Sequence, residues 1–202
     1  MNIQRILGLR AQKKIETKRK ISQSAMALFL KLGFDRTRVE DIVEPLQISK
    51  RTFFRYFMAK EDIVFAWYEE LTTELLEYFK VRPATEDPFK TISETLLSLL
   101  YFYDHNREWA FSMIKLIRET SSLQEAGLKK RFIWEQTLTD ALMKRHKKRK
   151  ISKLKAKVIV GCAMSAFMAA VDVWYESKQR LELRSLTQKA FRMARSLDDL
   201  QE

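Results

Sequence analysis

The sequence predicts an all-α protein, on three observations. Its 202 residues include only 4 Gly and 3 Pro, too few turn-formers for a fold of many short strands. Apolar residues recur at intervals of three and four over long stretches, the spacing that lines one face of a helix. Helix start and stop signals punctuate those stretches, so short loops suffice to join them. Apolar residues make up 46% of the chain, enough for a real core.

The first stripe is Ile21, Ala25, Leu28, Phe29 and Leu32, and it stops at Gly33, the residue best suited to close a helix. A basic segment precedes it, with Arg10, Lys13, Lys14, Lys18, Arg19 and Lys20. Thr37-Arg38-Val39-Glu40 reads as a capping box, Thr37 capping the Glu40 amide while Glu40 reaches back. The short helix it opens should end near Pro45, which has no amide hydrogen to donate. Ser49 then caps a second short helix over 50–57. Two short helices with a tight turn between them form a helix-turn-helix pattern.

At about 100° per residue, Phe53 and Phe57 share the inward side of the second short helix. Arg51 and Arg55 share the outer side with Thr52 beside them, and Lys50, Phe54 and Tyr56 sit on the flanks. Two arginines and a threonine backed by two phenylalanines suit a helix pressed into a major groove. Arg55 is also placed to pair with Glu40 or Asp41.

A long helix is expected over 60–79, with the stripe Ile63, Trp67, Leu71, Leu75, Tyr78, until Pro83 breaks the pattern. Asp87-Pro88 gives a cap followed by proline at the first helical position. Helices follow at 88–103, 107–118, 122–146, 152–176 and 183–198. The run 144–150 reads as a strongly basic, solvent-facing loop.

Charge is uneven. Residues 1–60 carry 14 Lys and Arg against 5 Asp and Glu, a net of +9 out of +12 for the chain. That excess points to a polyanion bound by the N-terminal part. The basic segment over 10–20 is a candidate arm for phosphates or an adjacent minor groove, or else a solvated first turn. Cys162 is the only cysteine, which excludes an intramolecular disulfide and fits a reducing cytoplasm. The N-terminus has no apolar core of a secretion signal. The longest nearly uncharged stretch, 158–171, is shorter than the roughly 18 to 20 residues of a membrane span and reads as a buried helix. His105, His146 and Cys162 offer no zinc spacing, and no nucleophile elbow, phosphate loop or dinucleotide fingerprint occurs. An enzyme, a metal and a cofactor are therefore not expected.

The segment T-R-V-E-D-I-V-E-P-L-Q-I-S-K-R-T-F-F-R-Y-F-M-A-K-E-D, from Thr37 to Asp62, resembles the DNA-binding domain of the TetR family of transcriptional regulators. The likeness extends over about 8–65. Three departures stand out. The family's small residue and Gly in the turn are replaced here by Pro45, Leu46 and Gln47, and a non-glycine forced to positive φ costs about 1–2 kcal/mol. The usual Pro-Ser before the lysine is Met58-Ala59, and Ala59 cannot cap the following helix. Phe54 stands where Tyr is common, so a hydroxyl contact to phosphate is lost.

The resemblance implies a three-helix DNA-binding domain over 1–60 and a larger helical bundle over 61–202 for effector binding and dimerisation. It implies a homodimer on a palindromic operator, built through the last two helices, where Ala156, Val160, Ala163, Phe167, Ala170 and Trp174 form a stripe that also serves an internal core. It places Thr37, Arg38, Tyr56 and Lys60 against phosphates. Lys50, Arg51, Thr52 and Arg55 are left for the groove, with Arg51 the favoured reader of guanine. Phe54 is carried as a further interface residue. A small hydrophobic effector is expected among Trp67, Tyr103, Trp109, Met113, Trp134, Met164 and Phe167, residues that equally suit a plain core. Two functions follow: a repressor released by that effector, or a DNA-binding activator, architectural or partner-regulated protein without one.

Overall fold

The structure is a computed structural model. It describes residues 9–145 and 151–196, with side chains from Gln12 onward except those of residues 67–70. Residues 146–150 of the basic run, His146 among them, lie outside the described residues. The described chain is all-α, with helices α1 (Leu9–Leu32), α2 (Val39–Val43), α3 (Lys50–Phe54), α4 (Glu61–Val64), α5 (Ala66–Val81), α6 (Pro88–Ser98), α7 (Leu100–His105), α8 (Arg107–Glu119), α9 (Ser121–Arg145), α10 (Lys153–Glu176) and α11 (Leu183–Ser196).

Two of the expected helices are divided. The helix expected over 60–79 breaks at Phe65, where the backbone leaves helical angles at φ −103° and ψ 8°. Ile63, Val64 and Phe65 are all buried. In a straight helix these three residues would span about 200°; here they straddle the end of α4. The helix expected over 88–103 is α6 and α7, which meet at Leu99 through the tighter i to i−3 bonds of Leu99 N–H to Leu96 O (3.1 Å) and Phe102 N–H to Leu99 O (3.0 Å). The basic segment over 10–20 is part of α1, helical from Leu9, rather than an extended arm.

The chain divides into two compact units, one of Met1–Trp67 with Leu116–Ala126, the other of Tyr68–Lys115 with Gly127–Glu202. In the first, α1 packs on α2 and α4, and α2 packs on α3. Its core holds Ile21, Ala25, Phe29, Phe34, Ile42, Phe53, Phe57 and Ile63. Phe29 and Phe34 meet at 4.8 Å between ring centroids and Phe53 and Phe57 at 5.8 Å. Each such side chain contributes about 1.5–3 kcal/mol by leaving water, which is what holds the very short α2 and α3 in place. Gly33 closes α1 at φ +89°, as its permissive backbone allows.

In the second unit α10 packs against α6 and α11. By length and composition α10 is apolar enough to cross a membrane, but Ala156, Ile159, Val160, Ala163, Met164, Phe167, Ala170, Val171 and Trp174 are buried inside the unit. Asp87 caps α6 by accepting from Lys90 N–H at 2.9 Å, with Pro88 at the first helical position. Ser152 caps α10 through Lys155 N–H at 3.1 Å. Buried threonines close on nearby carbonyls, Thr95 on Thr91 O (2.6 Å) and Thr187 on Leu183 O (2.8 Å), so both hydroxyls are satisfied.

Candidate nucleic-acid interface

The interface is built on α2, the turn after it, and α3. The turn is held by Gln47 N–H to Glu44 O at 3.0 Å and by Leu46 N–H and Ile48 N–H, both to Val43 O at 3.2 Å. Its reversal requires a left-handed residue, and Gln47 supplies it at φ +54°. A glutamine there carries the cost that glycine avoids. Ser49 caps α3, its Oγ accepting from Thr52 N–H at 3.1 Å and lying 3.0 Å from Thr52 Oγ1. The helix ends at Phe54, earlier than expected, and Tyr56 and Phe57 lie in the following turn, where both amides donate to Phe53 O at 2.8 and 3.1 Å.

Phe53 and Phe57 are buried, at 0% and 3% exposure, which fixes the rotation of α3 about its axis. Arg51 and Arg55 are exposed on the other side. Among the described residues no acidic side chain pairs with Arg51. Arg55 lies over the Tyr56 ring at 5.2 Å, a cation–π contact that steadies both side chains. The ion pair considered for Arg55 is made instead by Lys50, whose ammonium bonds the Glu40 carboxylate. The hydrogen bond from the Lys50 side chain, and after it one from the backbone amide of Glu40 itself, holds the Glu40 carboxyl below the usual carboxylate range. Phe54 is 52% exposed, and Thr52 and Tyr56 are half-buried.

Two side chains expected at phosphates have partners inside the unit. Thr37 is fully buried, and its hydroxyl donates to Gly33 O at 2.8 Å. It satisfies a carbonyl just past the end of α1, a group otherwise left without an intrahelical partner. The cap of α2 is Arg38, whose amide donates to Asp41 Oδ2 at 2.7 Å. Lys60 turns inward as well. Its Nζ donates to Phe34 O (2.8 Å) and Thr37 O (3.3 Å) and sits 4.3 Å from the Phe34 ring centroid. A cation is favoured beyond a helix C-terminus, and these carbonyls follow α1. Both side chains are thus engaged within the unit, whereas Arg38 remains exposed.

The cap missing at Ala59 is replaced from within the helix. Asp62 Oδ2 accepts from Met58 N–H at 3.0 Å and Ala59 N–H at 3.1 Å. Sequence reading missed Asp62 and the role of Glu40 toward Lys50. An acidic residue three or four positions ahead of two bare amides was the available signal for Asp62. The Glu40–Lys50 pair spans a turn and follows no helical spacing.

The residues expected around an effector all belong to the second unit except Trp67, whose side chain lies outside the described residues. Met113, Trp134, Met164 and Phe167 are buried, at 1%, 6%, 2% and 2% exposure. Tyr103 meets Phe167 edge-on at 6.3 Å and Trp174 at 6.5 Å. Trp109 meets Phe102 edge-on at 5.5 Å, and Trp134 Nε1 donates to Thr72 Oγ1. Tyr103 and Phe167 are thus brought together, while Trp109 and Trp134 each have a separate partner. Among the described residues, no group of three His, Cys, Asp or Glu is placed to hold a metal ion.

Comparison with known proteins agrees with this architecture. The family described as bacterial regulatory proteins, tetR family, matches residues 21–67, and the MftR C-terminal domain matches residues 86–197. The HTH-type transcriptional regulator TcmR of Streptomyces glaucescens is 34% identical over 93 residues, 46% of this chain and 41% of TcmR. The match therefore spans less than half of that relative. A solved structure described as a TetR-family transcriptional regulator, from Syntrophomonas wolfei, superimposes with a TM-score of 0.67 at 16% identity, covering 90% of this chain and 94% of the other. Thermus thermophilus FadR, a TetR-family transcriptional repressor in complex with lauroyl-CoA, gives 0.58 at 16% identity, covering 92% and 95%. Both structures are alike in fold. With the N-terminal match over the helix-turn-helix and the C-terminal match over more than half of its length, the chain is a member of the TetR family of transcriptional regulators.

Proposed function

We propose that this regulator is a cytoplasmic homodimeric repressor that binds a palindromic operator and leaves it when a small hydrophobic effector enters the second unit. The observation that carries the DNA reading is the rotation of α3, with Phe53 and Phe57 buried and Arg51 and Arg55 in solvent. Arg51 reads guanine, meeting O6 and N7 together. Lys50, Thr52 and Arg55 join it in the groove, and Arg38 and Tyr56 meet the phosphate backbone. The domains divide as a DNA-binding part over about 1–60 and an effector and dimerisation part over 61–202.

Dimerisation is supported by the outer face of α10. Val158 and Val173 are 51% and 43% exposed, with Cys162, Ser165 and Ala169 exposed between them. On α11, Met193 is 61% exposed. An apolar face of small residues lets helices of two subunits approach closely. The effector reading is supported by the aromatic and methionine side chains of the second unit, and by the acyl-CoA complex of the Thermus protein of the same fold.

The test is selection of bound duplexes from a random pool by the full chain at low salt. A palindromic consensus is expected, and Arg51→Ala should weaken it by about 1–3 kcal/mol while relaxing one base position. Equal loss on specific and random duplex would make Arg51 a phosphate contact. A chain that binds no duplex would refute the proposal.

A further inference from the structure

We propose that Phe54 reads a thymine methyl group in the operator, one or two base pairs from the guanine met by Arg51. The inference rests on the DNA-binding role of α3 proposed above and adds a base preference to it.

Phe54 is 52% exposed, on a five-residue helix. Its described ring neighbour is Phe53, edge-on at 5.2 Å between centroids. The buried Phe53 and Phe57 set the inward direction. Stepping about 100° per residue from there, the outer surface runs in order through Phe54, Arg51, Arg55 and Thr52. Phe54 is therefore beside Arg51, three residues and about one turn further along the helix. Whatever surface covers Arg51 also approaches the phenyl ring.

A phenyl ring has no donor or acceptor, so it cannot bond a phosphate or a polar base edge. The edges of the base pairs in the major groove carry one apolar group, the 5-methyl of thymine. Burying the exposed half of the ring against that methyl is favourable, whereas burying it against a cytosine amino group or a purine N7 would strip water from a polar atom without replacing its hydrogen bond. The charged neighbours keep the ring at the groove. Lys50, one turn back, is tied to Glu40, while Arg51 and Arg55 bring the cationic face to the polyanion.

The experiment starts from the operator selected by the full chain. Each thymine is replaced singly by deoxyuridine, which lacks only the methyl, and binding is measured by fluorescence anisotropy for wild type, Phe54→Ala and Phe54→Leu. One replacement per half-site, within two base pairs of the guanine position lost in Arg51→Ala, should weaken wild-type binding about fourfold, as one buried methyl suggests. The same replacement should leave Phe54→Ala unaffected and Phe54→Leu partly sensitive. If wild type and Phe54→Ala bind the operator and respond alike to every deoxyuridine, the inference is wrong though the DNA-binding reading stands. If no duplex is bound, both fall together.

Discussion

Lys60 Nζ reaches back to the carbonyl of Phe34 at 2.8 Å and rests 4.3 Å from the centre of the same residue's ring. A single side chain thereby ties the start of α4 to the loop after α1 and makes Lys60 a strut of the first unit. Lys60→Met should lower unfolding free energy by about 1–3 kcal/mol, since two carbonyls lose a charged donor. Urea denaturation measures this. The slope of log affinity against log salt should stay as in wild type, because no phosphate contact is removed. A shallower slope with unchanged stability would return Lys60 to the DNA.

Gln47, at φ +54°, predicts the opposite sign. Gln47→Gly relieves the left-handed strain but frees the unfolded chain, leaving a net gain of about 0.5–1 kcal/mol. Gln47→Val should cost more than 1 kcal/mol, roughly, because a β-branched residue is worst in that region. Midpoints of chemical unfolding at constant m-value distinguish the two.

In the DNA complex proposed above, the Glu40 carboxylate competes with DNA for Lys50, with which it pairs in the free protein. Glu40→Gln should tighten operator binding at low salt by about twofold to fivefold, the scale of an exposed ion pair. Since Lys50 holds the Glu40 carboxyl below its ordinary value, acid also releases the lysine. The gap between variant and wild type should therefore be full at neutral pH and close as pH falls through that lowered value.

In the second unit Arg82 bonds Glu86, which also accepts from Thr91 Oγ1 at 3.1 Å, and the two side chains are 18% and 8% exposed. The hydrogen bond from Arg82 lowers the Glu86 pKa, against the opposing effect of burial. The unfolded chain thus binds this proton more readily than the folded one. The stabilisation is complete above the ordinary glutamate value of 4.5 and is lost as pH falls through the lower folded value. Glu86→Gln should cost about 1–3 kcal/mol at neutral pH and flatten this part of the acid-unfolding profile.

Ala169 lies exposed between Ser165 and Val173 on the outer face of α10. If that face joins two subunits, Ala169→Arg places a long cation where backbones must approach. A monomer by light scattering at micromolar concentration is expected, with the thermal transition of the single chain little changed. A dimer unaffected by Ala169→Arg would put the interface elsewhere.

What the sequence determined alone is what depends on neighbours along the chain. Apolar spacing located α8 to α11 closely, Pro88 and Gly33 marked a beginning and an end, and the period of α3 separated Phe53 and Phe57 from Arg51 and Arg55. These signals survive because helical hydrogen bonds and faces repeat within four residues. The tertiary structure decided where a polar side chain turns when two partners compete for it. Thr37 chose the Gly33 carbonyl over the α2 cap, Lys60 chose a carbonyl 26 residues away, and Lys50 chose Glu40 across the turn. It also broke the helix at Phe65 and grouped Leu116–Ala126 with the N-terminal residues. Such choices depend on groups brought close only when the chain folds, and local periodicity does not encode them.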